Sequence, residues 1–177
     1  MKSTNKWVID PAHSEIHFKV KHLVIATVTG SFDKFEGFLE TDTEDFSNAR
    51  IEFSADVNSI NTNTPDRDNH LKSPDFFDAA NHPKLFFKSS SFRKSGDSEF
   101  KLTGDITIRG VTREISLDVD FGGTMKDPWG NEKAGFELTG KLNRKDFGLN
   151  WNAVTETGGL VASEEIKLQL SVELVKQ

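Results

Sequence analysis

The sequence predicts an all-β, antiparallel fold, and two observations carry that expectation. Hydrophobicity alternates with period two rather than 3.6, which marks strands with one dry and one wet face. A parallel sheet covered by helices would show continuous apolar runs instead. Several connections are short and bear Gly, such as Arg109-Gly110 and Ser95-Gly96-Asp97, as antiparallel hairpins require. Eight such strands must close on themselves as a barrel or pair as a sandwich.

The strands are expected near residues 14–21, 27–40, 49–58, 84–92, 99–109, 111–122, 134–143 and 164–175. In the first, Ile16, Phe18 and Val20 alternate with Glu15, His17, Lys19 and Lys21. In the third, Ala49, Ile51, Phe53, Ala55 and Val57 alternate with Arg50, Glu52, Ser54, Asp56 and Asn58. The sixth sets Ile115, Leu117, Val119 and Phe121 against Glu114, Ser116, Asp118 and Asp120. The last sets Ile166, Leu168, Leu170, Val172 and Leu174 against Lys167, Gln169, Ser171 and Glu173. Between 122 and 135 a tight turn region is expected, and 144–163 is weakly patterned, with a further loop near Trp151.

The segment from Ser59 to Pro83 is long for a loop in a compact domain; such loops are usually functional or disordered, and helix-start chemistry, present twice, argues against disorder. Thr64-Pro65-Asp66 and Ser73-Pro74-Asp75 each place a capping hydroxyl before a proline and an early carboxylate. Two short helical turns are predicted, roughly 65–71 and 74–79, carrying Phe76 and Phe77 to the edge or mouth of a barrel.

At 177 residues the chain is one domain of ordinary size. Lys plus Arg is 22 against 28 Asp plus Glu, a net charge of −6, which argues against nucleic acid or an anionic membrane surface as partner. No run approaches the length of a membrane helix. The first six residues are polar and Trp7-Val8-Ile9 is too short for a signal core, so a cytoplasmic location is expected, or a periplasmic one if a leader was removed. There are 15 Phe and no Tyr, aromatic bulk suited to a dry interior.

Little here suggests catalysis. The absence of Cys excludes thiolate nucleophiles and thiolate metal sites. His13, His17, His22, His70 and His82 show no HExxH spacing and are read as solvated or hydrogen-bonded, with no metal or cofactor expected. Ser14 beside His13 reads as a turn residue. Arg67 and His70 are three apart, so they share a helical face. Arg67 reads either as a grip for a phosphate or carboxylate at a cavity mouth or as part of an ion pair that fixes the loop. Two glycines interrupt apolar rows in the same local string, Leu-Thr-Gly: Gly104 between Leu102 and Ile106, and Gly140 between Leu138 and Leu142. Each relieves a barrel bend or bulge, or leaves space for a ligand, and both can hold together.

An ordered set of strings spans nearly the whole chain: Trp7-Val8-Ile9-Asp10-Pro11-Ala12-His13-Ser14, Lys21-His22-Leu23, Gly30-Ser31-Phe32 with Phe35 and Gly37, Ser59-Ile60-Asn61-Thr62, Arg67-Asp68-Asn69-His70-Leu71-Lys72-Ser73, Asp75-Phe76-Phe77-Asp78, Leu102-Thr103-Gly104, Gly110-Val111-Thr112-Arg113 and Asn143-Arg144-Lys145-Asp146-Phe147-Gly148-Leu149. In these strings the sequence resembles the YceI family of bacterial polyisoprenoid-binding, lipocalin-like proteins; Asn61 stands where that family commonly has Asp. The resemblance implies an eight-stranded lipocalin-like barrel with a helical insertion around 64–80. It implies a long amphiphile in the interior (a polyisoprenoid, isoprenoid quinone, fatty acid or fatty amide) and a homodimer.

On that reading the tail lies against Phe18, Val20, Phe32, Phe35, Phe53, Phe76, Phe77 and Phe86. It also meets Leu102, Gly104, Ile106, Leu138, Gly140, Leu142 and Leu168, while the head group sits near His22, Arg67 and His70. The alternatives are an enzyme acting on a lipid head group with His22 or His70 as acid/base, and a ligand-free interaction or stress module with a filled barrel.

Overall fold

A computed structural model describes residues 4–22, 25–149 and 163–177, with the side chain of His22 outside that description. The strands are β1 (Asn5–Ile9), β2 (Glu15–His22), β3 (Ala26–Phe32), β4 (Phe35–Thr41), β5 (Arg50–Asp56), β6 (Ile60–Asn61), β7 (Lys84–Lys94), β8 (Glu99–Ile108), β9 (Val111–Lys126), β10 (Glu132–Asn143) and β11 (Glu165–Lys176). Among the described residues one α-helix, α1 (Pro65–Lys72), interrupts them. Every pairing is antiparallel, and β1 pairs with both β4 and β11, so the sheet closes on itself. No described helix is long and apolar enough to cross a membrane.

The strands form an eight-stranded barrel because three pairs of them act as single staves. β1 and β2 lie along successive parts of β11, at Leu174–Lys176 and at Lys167–Ser171. β4 and β3 follow them on the next stave, and β5 and β6 on the one after. The predicted strand 27–40 is thus one stave bent at Asp33-Lys34. The first stave is longer than predicted: Trp7-Val8-Ile9 belongs to it, and it is this piece that closes the ring.

A 3-10 turn at Pro11–His13 kinks that first stave, and Asp10 holds it. The Asp10 carboxylate accepts from the Ala12 N–H at 3.1 Å and lies 2.8 Å from His13 Nδ1 and 3.5 Å from Lys133 Nζ. The His13 hydrogen bond, followed by the Ala12 N–H and Lys133, holds the Asp10 carboxyl below its ordinary range against the opposing effect of burial. A carboxyl with a lower pKa folded than unfolded stabilises above the unfolded value and loses that contribution as pH falls through the folded one. Asp10→Asn is therefore expected to lower stability by about 1 kcal/mol near pH 6. In urea denaturation the gap from wild type should shrink progressively below about pH 4. A gap that stays constant down to pH 3 would remove the charge argument.

The hairpins obey their local chemistry. Arg109 and Gly110 both have positive φ, 52° and 74°, as the two-residue loop joining Ile108 to Val111 requires. The expected turn region at 122–135 is mostly strand: β9 runs to Lys126 and β10 starts at Glu132. A bulge at Gly135/Phe136 absorbs the register change there. Asp127 alone organises the tip, accepting from the N–H groups of Trp129 and Asn131, both at 2.9 Å.

In the insertion, α1 forms as predicted, but Thr64 makes no side-chain capping bond. The second predicted helix, 74–79, is a set of turns instead. There the N–H of Phe76 donates to Ser73 O and that of Phe77 reaches back to Leu71 O, both at 3.0 Å. These bonds fold the segment back on α1 and point both phenylalanines at the barrel. Of the weakly patterned segment 144–163, residues 144–147 form a 3-10 turn closed by Gly148 at φ 77°, and Trp151 lies outside the described residues.

Candidate functional site

The inward rows of the staves enclose a cavity of about 580 Å³, within the range of small-molecule sites. Its walls are Leu, Ile, Val and Phe from every stave, including Ile106, Leu117, Leu138 and Leu168. One end is shut. The loop between β4 and β5 folds across it and puts the Phe46 ring 5.3 Å from Trp7, 5.3 Å from Phe121 and 5.4 Å from Phe136. Its backbone is tied to a further stave through Asn48 N–H to Phe92 O, 3.1 Å. The other end carries α1, the turns at 73–79 and the 144–149 segment, and five of the polar lining residues, Thr62, Asp66, Arg67, His70 and Arg144, gather there.

Eleven of the fifteen predicted tail residues line the cavity: Phe18, Val20, Phe32, Phe53, Phe76, Phe77, Leu102, Ile106, Leu138, Leu142 and Leu168. Four do not. Phe86 points outward and is 52% exposed, because strand alternation gives the inward places to Leu85 and Phe87. Phe35 stacks on Phe53 with ring centres 6.2 Å apart and borders a surface groove with Lys34, Glu36, Asp56 and Lys84. Gly104 and Gly140 leave no room for a ligand. A Cβ on Gly104 would lie 2.6 Å from the Phe87 ring and 2.4 Å from the Lys88 carbonyl, beside the bulge at Ser89/Ser91. A Cβ on Gly140 would lie 2.2 Å from Leu117 Cδ2. The neighbouring strands fill both gaps, so neither glycine opens space for a ligand; a bulge lies beside Gly104, whereas Gly140 sits in regular pairing with Leu117 and Leu168.

At the mouth, Arg67 and His70 both line the cavity from α1. Arg67 Nε donates to Thr62 Oγ1 at 2.8 Å and Nη2 to Thr62 O at 2.6 Å. Asp68 accepts from the same threonine, from its N–H at 2.9 Å and its hydroxyl at 2.5 Å. The arginine thus fixes the loop through Thr62 while remaining exposed. His70 Nε2 lies 2.9 Å from Asp75 Oδ2, and its ring stands edge-on to Phe76, 5.2 Å away. The side chain of His22 is outside the described residues, so its place at the mouth is not assigned.

Spacing alone does not single out Arg144, the only buried charged side chain among the described residues, at 2% exposure. Its Nε donates to Ser163 O at 2.9 Å and Nη1 to Leu149 O at 2.6 Å. Burial pulls its pKa down, partly offset by the charge of Glu164. The one sequence signal that includes it is the family-like string Asn143–Leu149. Away from the cavity, Asp10, His13 and Glu173 bring ligand atoms within 4.8 Å of one another. The Lys133 ammonium stands among them, 3.5 Å from Asp10 and 3.2 Å from Glu173, and supplies the positive charge itself.

The YceI-like domain model matches residues 7–174. The chain belongs to the YceI-like family. A Staphylococcus aureus relative from strain MSSA476, UPF0312 protein SAS2572, is 40% identical over 168 residues, 94% of this YceI-like chain and 95% of its own length. A Campylobacter jejuni YCEI protein superposes with a TM-score of 0.75 at 34% identity, covering 89% of this chain and 90% of that one. A polyisoprenoid binding domain from Saccharophagus degradans, implicated in plant cell wall breakdown, shares the YceI-like fold at a TM-score of 0.71 and 16% identity, covering 97% and 98%.

Proposed function

We propose that the protein binds, carries or buffers one long amphiphilic lipid, such as a polyisoprenoid, isoprenoid quinone, fatty acid or fatty amide, without acting on it chemically. The observation that carries this reading is the cavity itself: a deep apolar tube, closed by aromatic rings at one end and rimmed by polar side chains at the other. The polyisoprenoid binding of the Saccharophagus neighbour agrees with it. A filled barrel, as a ligand-free module would need, is at odds with the enclosed volume.

The energetics suit a carrier. Burying a tail out of water gains about 0.8 kcal/mol per CH₂. A bilayer offers the same gain, so transfer between membrane and tube is nearly neutral for the tail, and selectivity falls to the shape of the tube and its rim. Arg67, His70 and Arg144 are among the ionisable groups lining the cavity that a polar head group meets there, and Asp66 is a negative one beside them.

Organic extraction of purified protein followed by mass spectrometry is expected to release a hydrophobic passenger at near-stoichiometric yield. Stripped protein is expected to take up an added prenol, quinone or fatty acid. An empty extract together with no uptake of any of the three would overturn the proposal. Turnover of a lipid substrate that His70→Ala abolishes, with binding intact, would replace it by the enzyme reading.

A further inference from the structure

We infer, resting on the tail-binding proposal above, that the cavity is a blind tube that measures its ligand, with Phe46 beneath the floor as the length-setting residue. The limit it sets is one extended tail of about 16 carbons, half the thickness of a bilayer core plus a few ångströms.

The depth follows from the strands. On β11 the lining side chains run from Ile166 at the mouth to Leu174 at the floor, with Leu168, Leu170 and Val172 between them. Those eight steps span about 26 Å along the strand at roughly 3.3 Å per residue. Barrel strands tilt by about 40°, so the axial depth is about 20 Å. One leaflet of a bilayer core, which houses a single acyl tail, is about 15 Å thick. A tail of four isoprene units fits the same length, whereas a polyprenyl chain of eight or more must leave part of itself outside.

The floor is packed with aromatic rings. Phe92, Val119, Phe136 and Leu174 line the cavity at that end, while Phe46 lies behind them, 2% exposed. Phe46 holds φ at 64°, a left-handed conformation that is strained for a bulky residue. The ring contacts to Trp7, Phe121 and Phe136 maintain it. Strain is thus spent where the loop must turn a ring under the barrel, at the point where a longer tail would otherwise emerge.

The test is a ladder of saturated fatty acids from 12 to 24 carbons, titrated against stripped protein by calorimetry. Affinity is expected to rise by about fourfold per added methylene up to the limit and then to level or fall. In Phe46→Ala the break should move two to four carbons longer, and in Leu174→Phe it should move shorter. If either variant fails to fold, the break in the wild-type ladder still decides. Affinity that climbs without a break to 24 carbons, or a break unmoved in both folded variants, overturns the ruler and leaves lipid binding standing. Failure of every chain length to bind overturns both.

Discussion

Gly104→Ala is expected to destabilise the protein by about 3 kcal/mol, and Gly140→Ala by about 1 kcal/mol. The two glycines occupy the same local string, so sequence gives no reason to separate them. Their neighbours do. At Gly104 the new methyl meets the Lys88 carbonyl at 2.4 Å and Ser89 Cα at 2.8 Å, both backbone atoms fixed in the β7–β8 ladder. At Gly140 the nearest atom is the end of the Leu117 side chain, and the nearest backbone atom, Ser116 O, is 3.4 Å away. A leucine tip can swing to another rotamer at modest cost. A ladder carbonyl cannot move without breaking pairing. Equilibrium urea denaturation of the two single variants measures the difference directly, and equal losses would show that backbone contact is not what restricts Gly104.

Arg144→Ala should cost about 3 kcal/mol, through the carbonyls it leaves behind. Arg144 spans from the end of β10 to Leu149 and Ser163, and its guanidinium is the partner of both carbonyls. A carbonyl stripped of its partner keeps its desolvation penalty without a hydrogen bond. Arg144→Met retains the packing of the long stem and removes only the donors, so it should fall between wild type and alanine. Both are measured by urea midpoint and slope. A loss under about 1 kcal/mol in Arg144→Ala would show that water readily replaces the guanidinium. The mouth should suffer first, since the 144–149 segment lines it.

Much of the barrel was legible because parity within a strand is a local property. The row Ile166 to Leu174 states which side chains share a face before any partner strand is known, and all five line the cavity. The Arg109-Gly110 turn was legible for the same reason: both residues must adopt positive φ, and that requirement stays within two positions. Parity fails where two phases compete. In Leu85-Phe86-Phe87 either phenylalanine could face inward, and pairing of Phe87 with Phe53 and Ile106 decides for Phe87. Phe35 shares its parity with the lining residue Leu39, yet the bend at Asp33-Lys34 carries it out to the rim of a surface groove.

What the sequence alone determined is the alternation, the turns and the insertion, hence eight strands with one oily face and a segment that brings Phe76 and Phe77 to the edge or mouth. Three matters were settled only in three dimensions. Trp7-Val8-Ile9 closes the ring, a pairing between chain ends some 170 residues apart. Phe87 and Leu117 fill the places that Gly104 and Gly140 vacate. Phe46, in a loop without strand pattern, shuts one end. Each depends on the tilt and stagger of strands distant in sequence, a relation that no single segment encodes, and so the volume and length of the tube belong to the tertiary structure.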